Sequence, residues 1–121
     1  MDNIKKTKQY DLEDRTLIFA KRVRDLIKQL PKHTGNYEDG KQLIRASGSV
    51  GANYIEANEA LSKKDFCLRV KISRKESKES RYWLRLVDVG ENQSLERDRL
   101  ELINEATELM KIFNAIINKS K

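Results

Sequence analysis

Between Arg45 and Ala57 the chain runs Arg45-Ala46-Ser47-Gly48-Ser49-Val50-Gly51-Ala52-Asn53-Tyr54-Ile55-Glu56-Ala57, a helix-period segment crowded with side chains too small to fill a core alone. Glycine inside a helix costs roughly 1 kcal/mol against alanine, so Gly48 and Gly51 make sense where a neighbouring backbone comes close enough to outweigh the lost propensity. Ser73, Ser77 and Ser80 supply a matching row of small residues further along, spaced for one helical face. The two rows predict a tightly packed helical hairpin at the centre of the molecule.

The rest of the chain falls into order around that hairpin. Phe19, Val23, Leu26, Ile27 and Leu30 form one stripe of a first helix, about 14–30, which Pro31 forbids from continuing. Asn36 and Asp39 resemble a capping box, with Asp in place of the usual Glu, opening a second helix at about 37–61. Its seam is Leu43, Ser47, Val50, Tyr54, Ala57 and Leu61, and a second line of Ile44, Gly48, Gly51 and Ile55 widens the apolar arc to two neighbours. Ser62 with Asp65 repeats the capping spacing at the start of a third helix, about 63–89, whose seam is Phe66, Val70, Ser73, Ser77, Ser80, Leu84 and Val87. Gly90 serves as a stop. Ser94 caps a fourth helix at about 95–118, with a stripe running from Leu102 through Leu109 and Phe113 to Ile117, and its end is expected to fray from Asn114 onward. Residues 1–11, with Lys5, Lys6 and Lys8, read as a loose basic arm. The expected fold is therefore all-α, one domain over 1–121, an antiparallel up-down-up-down four-helix bundle.

Composition excludes several classes. The longest apolar run, Leu17 to Ala20, is far short of the roughly 20 residues a membrane-spanning helix needs, and no apolar leader follows Met1, so a cytoplasmic protein without a membrane partner is expected. A single cysteine, Cys67, leaves no intrachain disulfide and fits a reducing compartment. The net charge of +6 is unevenly spread: residues 63–90 carry nine Lys or Arg against four Asp or Glu, whereas 91–121 carry five against six. Basic charge gathered on one helix favours a polyanionic partner, although it also serves simple solubility.

The run Ser49 to Ala57, then Asp65-Phe66, then Lys75-Glu76-Ser77-Lys78-Glu79-Ser80-Arg81-Tyr82-Trp83-Leu84, resembles the bacterial four-helix-bundle family of ribosomal RNA intervening-sequence proteins. That family's Ser, Asn and Glu correspond to Ser49, Asn53 and Glu56, while Ala57 stands where the family carries Gly. The resemblance implies a small helical protein encoded in or near inserts of large-subunit ribosomal RNA genes, similar to the accessory protein of diversity-generating retroelements. It implies homopentameric, barrel-like rings with basic surfaces and, for the retroelement relative, binding of nucleic acid and a reverse transcriptase. No enzymatic activity is established for the group.

Two surfaces on the third helix stand out. Lys64, Lys71, Lys75, Lys78 and Arg85 line up opposite the seam, with Tyr82 among them and Arg74 and Arg81 at the flank. Basic side chains a helical turn apart meet successive phosphates without reading bases, and Tyr82 can stack on an unpaired base. Five such contacts on duplex DNA predict a log-log salt slope of roughly −4. The alternatives are a solvated face or a dock for an acidic protein partner. The second surface, Leu68, Ile72, Trp83 and Leu86, is either a subunit interface, since Trp is enriched at binding hot spots, or part of a wide core.

The pairs Glu56/Glu59 and Glu76/Glu79 have the carboxylate spacing of di-iron bundles but lack the histidines that go with it, so no metal or cofactor is expected, and ion pairs with Arg69, Arg45 or a neighbouring subunit are preferred. Asn53, on the edge of the second helix, is expected to cap or bridge a neighbouring backbone. The only histidine, His33, lies in a loop, and neither Cys67 nor any serine has a base, so no catalytic residue is assigned. A purely structural oligomer without a ligand is the remaining alternative.

Overall fold

The structure is a computed structural model that describes residues 7–120, with side chains from Leu12 onward. It contains the four helices α1 (Thr7–Gln29), α2 (Thr34–Asn58), α3 (Lys63–Leu86) and α4 (Gln93–Lys119). Each packs on its neighbour in sequence, and α1 closes the ring against α4. Contacts fix the directions: Thr16 meets Gly51 while Asn58 reaches Glu13, Arg45 meets Glu76 while Arg69 reaches Asn53, Arg74 meets Asn114 while Arg81 reaches Thr107, and Arg15 meets Glu105 while Arg22 reaches Glu101. Every adjacent pair runs antiparallel. The core runs through all four helices, with Phe19, Leu43, Val70, Leu84, Leu109 and Phe113 essentially sealed from solvent, and Tyr54 of α2 reaches Phe113 of α4 across it at 5.9 Å between ring centroids.

The central hairpin is tight, and serines rather than glycines make it so. Ser47, Ser73, Ser77 and Ser80 are completely buried, and the Ser73 hydroxyl donates to the Val50 carbonyl of the facing helix at 2.9 Å. Ser77 and Ser80 turn their hydroxyls back to carbonyls one turn earlier, Ser73 and Glu76, and Ser47 bonds the Ile44 carbonyl, so each of these four buried hydroxyls is paired. The expectation that both glycines serve this approach is corrected. A methyl at Gly51 would lie 2.7 Å from Thr16 Oγ1 of α1, so that glycine admits α1, whereas Gly48 faces open space.

The helix ends move by up to two turns from their expected positions. The first helix already includes Thr7–Asp11, so only residues 1–6 of the expected arm fall outside the described residues. His33 rather than Asn36 caps α2, its Nδ1 accepting from the Asn36 amide at 3.3 Å. Asn36 is buried and bridges two loops instead: its amide donates to the Pro31 and Asp88 carbonyls, both at 2.8 Å, and its carbonyl accepts from the Asp88 amide at 2.9 Å. That clamp, with Arg99 donating to the Val87 carbonyl at 2.6 Å, gives the end of α3 other partners, so the helix stops at Leu86 instead of Val89. Gly90 then turns with φ of 69° and packs beneath Pro31, whose Cγ would be 3.3 Å from an added methyl.

At the opposite end, α2 closes at Asn58 with Glu59 and Ala60 donating three residues back, a tightening that leaves Leu61 fully exposed in the turn instead of on the seam. Ser62 caps α3 as expected, accepting from the Asp65 amide at 3.0 Å. Asn92, not Ser94, caps α4. The last helix continues to Lys119, past the expected fraying point, because Ile116 and Ile117 pack on the core.

Candidate nucleic-acid interface

The tight serine seam turns the opposite side of α3 outward. Lys64, Lys71, Lys75, Lys78, Tyr82 and Arg85 are all exposed on it. Among the described residues only Lys75 of this row lies within salt-bridge reach of a carboxylate, its Nζ 4.0 Å from Glu76 Oε2. The acids of α3 are drawn aside by α2: Arg45 sits 3.3 Å from Glu76, whose side chain is 8% exposed, and 2.8 Å from Glu79. Arg69 turns the same way, 4.0 Å from Asp65 and donating to Asn53 at 3.4 Å. Asn53 also donates to the Ser49 carbonyl of its own helix at 3.0 Å, so it links α2 to α3 through a side chain and touches only its own backbone.

Arg74 and Arg81, expected at the flank of the row, are half-buried and committed to α4. Arg74 donates to Asn114 Oδ1 at 2.7 Å and Arg81 to Thr107 Oγ1 at 3.1 Å. They border the row rather than extend it. Tyr82 stands 58% exposed with its ring 5.0 Å from that of Trp83 at 80°, an edge-to-face pair. Near the other end of the row, Lys64 and Lys71 flank a hollow of about 460 Å³ that Ser62, Asp65, Cys67 and Leu68 complete. The half-buried Cys67 thiol is free.

The apolar line of α3 divides. Leu68 and Leu86 are exposed, whereas Ile72 is half-buried and Trp83 packs against the core. The sequence reasoning passed over other exposed aliphatics: Leu17, Ile18 and Leu100 are each more than half exposed, and Ile55, expected to pack against a second neighbour, is instead 47% exposed. Leu17 follows Thr16, which meets Gly51 of α2, and Ile55 lies one turn beyond Gly51. Their signal was Leu17-Ile18, an apolar pair off the core stripe inside the run weighed only as a membrane segment.

These features define a class: an antiparallel four-helix bundle whose third helix presents an exposed basic row with one carboxylate, that of Glu76, at its edge. The family profile described as 23S rRNA-intervening sequence protein matches residues 8–115, and the chain belongs to that family. Among solved structures it is similar to a protein of unknown function from the S23 ribosomal protein family of Bacteroides thetaiotaomicron VPI-5482, with 32% identity, a TM-score of 0.75, and coverage of 87% of this chain and 96% of that one. No curated protein matches the sequence. Among the described residues, no helix is long and apolar enough to cross a membrane, and no cluster of His, Cys, Asp or Glu is placed to hold a metal ion.

Proposed function

We propose that this protein is a non-enzymatic, self-associating bundle of the bacterial cytoplasm that binds nucleic acid without strong sequence preference through the outer face of α3. The observation that carries the reading is the separation of charge on that helix: Arg45 holds Glu76 and Glu79 on the α2 side, so the five cations of the row face solvent together. Mobile ammonium groups displace counterions from a phosphate backbone, which gives affinity without base readout. The exposed aliphatics Leu68, Leu86, Leu17 and Ile55 support self-association, and a ring of five is the assembly the family resemblance favours.

Retention of nucleic acid measured over a salt series tests the reading. Changing Lys71, Lys75 and Lys78 together to Glu is expected to abolish retention at moderate salt and to reduce the log-log slope on duplex DNA by about 3. Retention that survives the triple change disproves the row as the binding surface. Light scattering tests assembly, and a particle of 14.1 kDa, the mass of one chain, at micromolar concentration removes self-association.

A further inference from the structure

We infer that the occupant of the α3 row is a single-stranded polynucleotide lying along the helix, with an unpaired base stacked on Tyr82. The inference rests on the nucleic-acid reading above and narrows it. Helix α3 is flanked by α2 on one side and α4 on the other. With α1 closing the ring against α4, α3 occupies a corner of the bundle, and its outward ridge is a straight rod backed on two sides by neighbours about 8–10 Å away. A duplex backbone winds around its own axis and so stays against a straight row of cations at only a few phosphates. A single strand is free to straighten and follow the whole row.

The spacing suits a strand. Lys71, Lys75, Lys78, Tyr82 and Arg85 climb α3 in steps of about 6 and 4.5 Å at 1.5 Å per residue, alternating four- and three-residue intervals that hold them on one side of the helix. Tyr82 sits between two cations of that series, so a phosphate contact on either side brings a base to the ring. In an edge-to-face pair Trp83 covers at most one face of the phenol, and the 58% exposure of Tyr82 leaves the other open. Because Trp83 is itself packed on the core, the ring is braced before any ligand arrives, which lowers the ordering cost of stacking. About 21 Å away along the helix, the hollow beside Leu68 offers an apolar floor between Lys64 and Lys71 for a second unstacked base.

Fluorescence anisotropy with a labelled 15-nucleotide RNA, alone and annealed to its complement, separates the possibilities for the full chain. The expected result is tighter binding of the single strand, a loss of roughly tenfold for Tyr82→Ala on that strand alone, and recovery in Tyr82→Phe. The duplex is expected to be indifferent to both changes, and circular dichroism of the variants should match the parent. Equal affinity for the two forms, or a Tyr82→Ala effect that is absent or the same on both, overturns the single-strand inference while leaving the basic row intact if the triple lysine reversal still abolishes binding. Binding of neither form by the parent overturns the nucleic-acid reading itself.

Discussion

The α2–α3 seam and the α1–α4 seam solve the same packing problem in opposite ways. Between α2 and α3, fully buried serines let the backbones come so close that a side-chain hydroxyl on one helix bonds a main-chain carbonyl on the other. Between α1 and α4 the approach is sparser, and long side chains span it: Arg15 binds Glu105 through two hydrogen bonds at 2.7 and 2.9 Å, and Arg22 reaches Glu101 at 2.7 Å. Surface hollows of about 280 and 250 Å³ follow the looser seam, one beside Ile18 and Phe19 and the other beside Leu26 and Leu102. Small residues fix one distance and tolerate no other, whereas arginine and glutamate accommodate several. The helix that carries the basic row thus shares the close-packed seam with α2, while α1 meets α4 through longer and more adaptable side chains.

The largest effect expected from this contrast is at Ser77. It is completely buried where α2 and α3 meet, and a leucine there must wedge the helices apart, so Ser77→Leu should destabilise by roughly 1–3 kcal/mol in denaturant unfolding. A neutral result would break the claim that the seam is close-packed. Gly51→Ala probes the α1–α2 contact, where overpacking against Thr16 is partly offset by a gain of about 1 kcal/mol in helix propensity. The net loss should reach up to about 2 kcal/mol. Thr16 is stiff in a helix and its hydroxyl is already engaged by the Glu13 carbonyl at 2.9 Å, so Thr16→Ser, with a freer hydroxyl, should recover part of the loss in the double variant.

The tight seam was legible in the sequence because small residues at helical spacing have few other uses, and the basic row because one helix periodicity places it opposite that seam. That Glu76 and Glu79 pair with arginine was legible too, but which arginine serves them was not: Arg45 takes both, while Arg69 turns to Asp65. The loop clamp was not. Asn36 looks like a cap because Asn followed by Asp fits the local pattern, yet its partners Pro31 and Asp88 come from two different loops, a relation that no local spacing encodes. Gly51 misled in a related way: the need for a small residue was visible, but not which neighbour imposed it. Arg74 and Arg81 look like binding residues at the flank of the row on a helical wheel, and only the position of α4 shows that Asn114 and Thr107 claim them.

On the looser seam, Arg15→Met keeps the aliphatic stem and removes the ion pair. Its side chain is 41% exposed, so solvent screens the interaction, and a loss of only about 0.5–1 kcal/mol is expected, smaller again at high salt. A loss matching that of Ser77→Leu would erase the distinction between the two seams.

The smallest effect is expected at the loop clamp and is read through pH. With His33 Nδ1 accepting from the Asn36 amide, the ring hydrogen lies on Nε2 and points to Asp88 Oδ2 at 3.1 Å. The Asp88 carboxyl is held below its ordinary range, first by the Gly90 amide, which donates to Oδ1 at 2.8 Å, and then by the His33 ring. A carboxyl depressed in the folded state contributes stability that is fully present above its unfolded pKa and is lost as pH falls through the folded one. The parent should therefore exceed Asp88→Asn in unfolding temperature at neutral pH, and the gap should shrink as pH drops below about 4. Asparagine keeps the shape but not the charge, so a gap that stays constant with pH would assign the clamp to packing and the Asn36 hydrogen bonds alone. A gap that closes on acidification would show that the charged carboxylate helps hold the ends of α1 and α3 together, at the end of the bundle away from the turn where Leu61 is exposed.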